Sequence, residues 1–173
     1  QAKSNAKKLC KNLKLDHLVR SIETSKKSSL DMFFTVKTHK PDWPLRVIVS
    51  ENGTWQKMIA KFLQEKLKLL DCDDPFQVKS SDDLIMFLND NSSTDFAACS
   101  VDVKDLYYSI PQDDLLECVE TCIDTYGAIT FQNACGVSTG GFLELLAVYL
   151  KSTHVLWEGN MYLQKSGVCI GSC

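Results

Sequence analysis

The chain has 173 residues, of which 45% are hydrophobic and 24% charged, with a formal net charge of −3. That length suits one domain or a large part of one, and that hydrophobic share argues against a disordered chain. No apolar run approaches about 18 residues, and the basic N-terminus has no apolar stretch behind it, so neither a membrane span nor a signal peptide is expected.

The net charge conceals an asymmetry. Residues 1–40 carry ten Lys/Arg against three Asp/Glu, and the other 133 carry nine against nineteen. A basic segment on an acidic body suits one face that meets polyanions and another that gathers cations; ordinary solvated lysines on a surface helix give the same tally. The eight cysteines include no CxxC pair: Cys118 and Cys122 are four apart, as are Cys169 and Cys173, and His17, His39 and His154 lie far from one another. Reduced cysteines in an intracellular protein, nuclear or cytoplasmic, are therefore expected in place of a disulfide scaffold or a zinc site.

In chain order, residues 3–23 read as one basic helix with Leu9, Leu13, Val19 and Ile22 on one side. Thr24 to Ser29 is a polar break. Leu30 to Val36 reads as a strand, KTHKPDWP at 37–44 as a loop punctuated by Pro41 and Pro44, and Leu45 to Ser50 as a second strand. Together they predict a hairpin that presents Lys37, Lys40 and Arg46. Glu51-Asn52-Gly53 is a turn and Thr54 a helix cap. Trp55, Met58, Ile59, Phe62, Leu63, Leu67 and Leu70 then mark an amphipathic helix that Asp71 to Pro75 ends. A short helix is expected over Ser81 to Asn89, a strand ending at Asp102, a helix over 112–126 closed by Gly127, and a helix capped by Ser138-Thr139 that runs to Leu150. HVLW and MYLQ, at 154–157 and 161–164, flank Glu158-Gly159-Asn160 as a hairpin, and SGVCIGSC at 166–173 is a glycine-punctuated turn. The layout is α+β, with helices packed on a small, mainly antiparallel sheet.

One stretch carries chemistry: SVDVKDLYYSIP, residues 100–111. The apolar run Phe96 to Cys99 leads through Ser100-Val101 to a lone acid, Asp102, with Asp105, the tandem Tyr107-Tyr108 and Pro111 behind it. A carboxylate at the end of an apolar strand needs a partner, and a divalent cation is one. Asp also serves as a turn or cap residue, so Asp102 alone leaves both roles open.

SVDVKDLYYSIP resembles the first catalytic motif of reverse transcriptases, and QKSGVCIGSC at 164–173 resembles the start of their later glycine-rich motif. KTHKP followed by PLRVIVS resembles the fingers segments that hold incoming nucleotide. The combination, over residues 30–173, is most similar to the Penelope-like retroelements of animal genomes. The resemblance implies the fingers and partial palm of a right-hand polymerase. It divides the chain into a basic helical segment (1–29), a fingers-like region (30–95) and a palm portion (96–173). It also implies RNA-directed DNA polymerisation, with a primed RNA or DNA template and deoxynucleoside triphosphates as partners and two Mg²⁺ ions as cofactors. Asp102 matches the metal-binding acid, and the carbonyl of Val103 the group that helps hold the same ion. Tyr107 matches the aromatic that excludes a ribose 2′-hydroxyl. Arg46 matches the arginine on the triphosphate, a task suited to a planar, permanently charged fork. Lys37 and Lys40 would meet phosphate or template backbone. Gly167 and Gly171 match the turn whose backbone comes close to nucleotide and template.

The family completes its metal site with a paired-Asp strand, and no such strand follows here. Asp73-Asp74, Asp82-Asp83 and Asp113-Asp114 read as turn or helix-start acids. Together with the opening Gln1 and the close on Cys173, this leads us to expect a piece of a longer polymerase, inactive by itself. The other reading is a non-catalytic nucleic-acid-binding domain, decayed or co-opted from a retroelement, in which residues 1–40 act through backbone charge.

Overall fold

The computed structural model describes residues 1–70, 77–92, 97 and 99–169. Cα packing divides the chain into a larger unit, Gln1–Leu70 with Asp105–Cys173, and a smaller one, Asp71–Lys104.

The larger unit opens with two helices where the periodicity predicts one. Helix α1 spans Ala2–Asn12 and α2 spans Asp16–Thr24. Between them Lys14 takes a left-handed φ of 59°. The Lys14 amide donates to Lys11 O at 3.1 Å and the Leu15 amide to Cys10 O at 2.9 Å, the paired bonds by which a helix ends in a Schellman turn. The break lets both short helices point their apolar residues inward: Ala6, Leu9 and Cys10 from one, Leu18 and Ile22 from the other.

Strand β1 (Leu30–Val36) pairs antiparallel with β2 (Leu45–Ser50), from Asp31 opposite Ser50 to Val36 opposite Leu45. The hairpin and its loop are as the sequence predicts. Thr54 does not cap the next helix. Its amide and hydroxyl both return to Glu51 O, at 3.0 and 2.8 Å, and close the turn, so α3 (Gln56–Leu67) begins after Trp55 with no side-chain cap. The expected terminator, Asp71 to Pro75, lies outside the described residues.

A one-turn helix, α5 (Leu106–Ser109), precedes α6 (Gln112–Tyr126). Gly127 then admits α7 (Ala128–Cys135), an element the periodicity does not announce. Helix α8 (Thr139–Leu150) is capped by the Ser138 hydroxyl, which accepts from the Gly141 amide at 3.2 Å. Strands β3 (His154–Trp157) and β4 (Asn160–Leu163) form the second hairpin. Its two-residue turn, Glu158-Gly159, has positive φ at both positions (48° and 78°), the twist that antiparallel pairs favour.

The sheet order is β2-β1-β3-β4. Two antiparallel hairpins are joined by one short parallel pairing of β1 with β3, so the sheet is mixed. Under it Leu30, Val49 and Val155 form a small core. The main core is helical and draws on α1, α2, α3, α6, α7 and α8 around Trp55, Ile59, Phe131, Phe142 and Leu145. Phe131 and Phe142 meet edge to face at 5.1 Å. The fold is α+β, and no helix among the described residues is long and apolar enough to cross a membrane.

In the smaller unit, α4 (Ser81–Asp90) is capped by the Ser80 hydroxyl, which accepts from the Asp83 amide at 3.2 Å. Among the described residues, the strand expected to end at Asp102 is not formed. Its described residues, Ala97 and Cys99 to Val101, are irregular, and Val101 is 89% exposed. A strand exists by its ladder, and among the described residues this run has no partner in the sheet.

Candidate functional site

Three segments far apart in sequence meet in the larger unit. The tyrosine pair on α5 lies against β2: Tyr108 donates its hydroxyl to Val47 O at 3.1 Å, next to Arg46. On its other side the turn at Gly167 packs onto the α5 backbone. The Gly167 amide donates to Ile110 O at 3.0 Å and the Val168 amide to Tyr107 O at 2.7 Å. Gly167 has φ of 71°, and a Cβ there would meet Tyr108 Cα at 2.6 Å, a spacing that no side chain tolerates.

Every predicted site residue except Gly171 falls among the described residues. Arg46 is exposed on β2, opposite Thr35. Tyr107 is half exposed on α5. Tyr108 is 38% exposed and serves as the tie to β2. Lys37 is half-buried at the start of the hairpin loop, where its amide donates to Pro44 O at 2.9 Å, and Lys40 is exposed further along. Asp42 and Trp43, in the same loop, have left-handed φ of 66° and 45°, and Trp43 is 70% exposed. Non-glycine residues rarely hold that conformation, and a ligand-facing loop is a frequent place for it. Asp105, the residue before α5, has φ of 52° and turns its carbonyl to the Tyr108 and Ser109 amides at 2.9 and 3.1 Å.

Asp102 and Val103 belong to the smaller unit and are exposed on irregular chain. Among the described residues no three His, Cys, Asp or Glu side chains gather as a metal-ligand set. Asp102 with the Val103 carbonyl supplies one carboxylate and one neutral oxygen, which does not amount to a site for two Mg²⁺ ions. Gly171 lies outside the described residues.

Gln112 is a site residue that no pattern in the sequence marks. Almost buried at the start of α6, it donates through Nε2 to Gly167 O at 2.9 Å and approaches Leu150 O at 3.5 Å. It thereby fastens the glycine turn to the end of α8. Behind the turn an apolar cavity of about 400 Å³ is lined by Leu63, Leu67, Leu115, Leu150, Val168 and Cys169. Burial pushes the Cys169 thiol above its usual range, and a hydrogen bond with Thr153 partly offsets this. The thiol is a packing group there, its Sγ 3.1 Å from Gln164 Oε1.

The arrangement presents a planar cation, an exposed phenol ring and a close-packed glycine backbone on one unit. That combination can hold an anionic group, a flat or sugar-like surface and a closely approaching chain. No protein-family model matches the sequence, and no curated protein or solved structure matches it either.

Proposed function

We propose that the chain is the fingers and partial palm of a retroelement reverse transcriptase, an RNA-directed DNA polymerase. The observation that carries this reading is the meeting of Tyr107-Tyr108 with β2 on one side and the Gly167 turn on the other. Those are the three segments in which the resemblance to reverse transcriptases resides, and some 60 residues separate each from the next.

On this reading Arg46 holds the triphosphate, and the ring of Tyr107 stands where a ribose 2′-hydroxyl would lie. The Gly167 backbone faces nucleotide and template, and Lys37 and Lys40 meet phosphate. Asp102 and the Val103 carbonyl contribute to Mg²⁺ binding, whose chemistry is to stabilise the attacking and leaving oxygens of nucleotidyl transfer. These two groups alone do not complete a metal site.

Equilibrium binding of dTTP and of its ribo counterpart, ribothymidine triphosphate, to the purified chain tests the reading. The expected result is tighter binding of dTTP. Tyr107→Ala should bring the two affinities within about twofold, while Arg46→Ala weakens both by about tenfold, the loss of one charge-assisted contact. Equal affinity for the two nucleotides in the unmodified chain, or no effect of Arg46→Ala, would count against it. The charge asymmetry favours a second reading, a binding domain without catalysis, under which nucleic acid binds and neither nucleotide does.

A further inference from the structure

A second concave surface lies away from the tyrosine pair, where the end of α2 meets the turn before α3. It encloses about 350 Å³, within the range of ligand pockets, and Lys26, Lys27 and Lys57 border it together with Ser21, Gly53 and Met58. Two contacts fix its walls to each other: the Lys27 amide donates to Gly53 O at 3.3 Å, and Lys27 bridges in parallel to Thr54. Lys3 secures the α2 end by donating from Nζ to Ser25 O at 3.0 Å.

The donors around the cleft select its ligand. Three of its four hydroxyls donate within the chain: Thr24 to Arg20 O, Ser25 to Ile22 O and Thr54 to Glu51 O. The charge that the cleft presents is the ammonium charge of three bordering lysines. Lys27 pairs with Asp31 and Lys57 donates to Asn52, both at the exposed surface, where such contacts exchange at little cost. The adjoining N-terminus of α3 has no acidic residue in its first turn and adds positive potential. The ligand is therefore an anion. A volume well beyond one phosphate group and the exposed flank of Met58 suit a phosphate that carries a sugar and a base.

We propose that this cleft binds the phosphodiester backbone of single-stranded nucleic acid. The proposal rests on the reading of the chain as a protein that handles nucleic acid, and it assigns a surface that the resemblance does not mark.

Fluorescence anisotropy with a labelled fifteen-nucleotide oligothymidylate, at a series of salt concentrations, tests it. The variant Lys26→Gln/Lys27→Gln/Lys57→Gln is compared with Lys61→Gln/Lys151→Gln/Lys165→Gln, which removes the same charge elsewhere. The cleft variant should bind about tenfold more weakly than the control at low salt, with a slope of log affinity against log salt shallower by about 2. Equal weakening in the two variants would overturn the cleft. The dTTP affinity of the same proteins would show separately whether the nucleotide reading survives. Inorganic phosphate forms the second arm. Amide shifts at Lys27, Gly53 and Lys57 with phosphate, but no oligonucleotide binding, would also overturn the proposal and make this a site for free phosphate. Matching thermal melts of the two variants would exclude unfolding as the cause.

Discussion

Gly167 is the position at which backbone geometry and the candidate site constrain each other most tightly. Its φ of 71° disfavours any L side chain, and the space where a Cβ would go is filled by the backbone of Tyr107 and Tyr108. Neither neighbour can withdraw alone, because the Val168 amide donates to Tyr107 O and Gln112 holds Gly167 O. Gly167→Ala should therefore lower stability by about 2–5 kcal/mol, combining left-handed strain with overpacking. Gly140, in the first turn of α8, has open space where a Cβ would stand and no positive φ. There Gly140→Ala should be neutral or stabilise by up to about 1 kcal/mol. Urea unfolding of the two variants checks the contrast, and similar midpoints would show that the turn is not held as described.

At the scale of elements, the junction of α1 and α2 tests how the helical core is assembled. Lys14 occupies the left-handed position that glycine usually fills at a helix end of this type. Lys14→Gly relieves that strain but loosens the unfolded chain, so a net gain of about 0.5–1 kcal/mol is expected in thermal or urea unfolding. Lys14→Val, β-branched at the same φ, should lose at least about 1 kcal/mol. Stability unchanged by both would mean that the two helices do not depend on this turn. The same residue explains why the break is not legible in the sequence: the usual punctuation is Gly, and lysine here continues the basic pattern of a single helix. By contrast β1, β2, α6 and the β3–β4 hairpin fall where Pro, Gly and apolar spacing place them. Helix α7 is not legible because its eight residues are too few to establish a period. The run before Asp102 has strand composition but finds no ladder among the described residues, and composition does not carry information about partners.

For the whole molecule, the candidate site is legible as three motifs and not as a constellation. Arg46, Tyr107 and Gly167 are marked by residue type and order, whereas the ties between their segments run through a phenol hydroxyl, main-chain amides and Gln112. Such ties depend on tertiary placement and leave no periodic trace. On the proposed reading, the distribution of acids sets the limit on activity. Two-metal transfer needs several hard oxygen ligands around ions that prefer six-coordinate geometry. Asp82-Asp83 and Asp113-Asp114 stand in the first turns of α4 and α6, where the helix dipole accounts for them, and Asp73-Asp74 lies outside the described residues. Asp102 is then the one acid that the motif assigns to metal. We therefore expect the purified chain, given primed polyriboadenylate, dTTP and Mg²⁺, to bind nucleotide without extending the primer. Gel analysis of labelled primer decides the matter: products that vanish in Asp102→Asn would mean that residues 1–173 already hold a working metal site, and that a second acid joins Asp102 in the active protein.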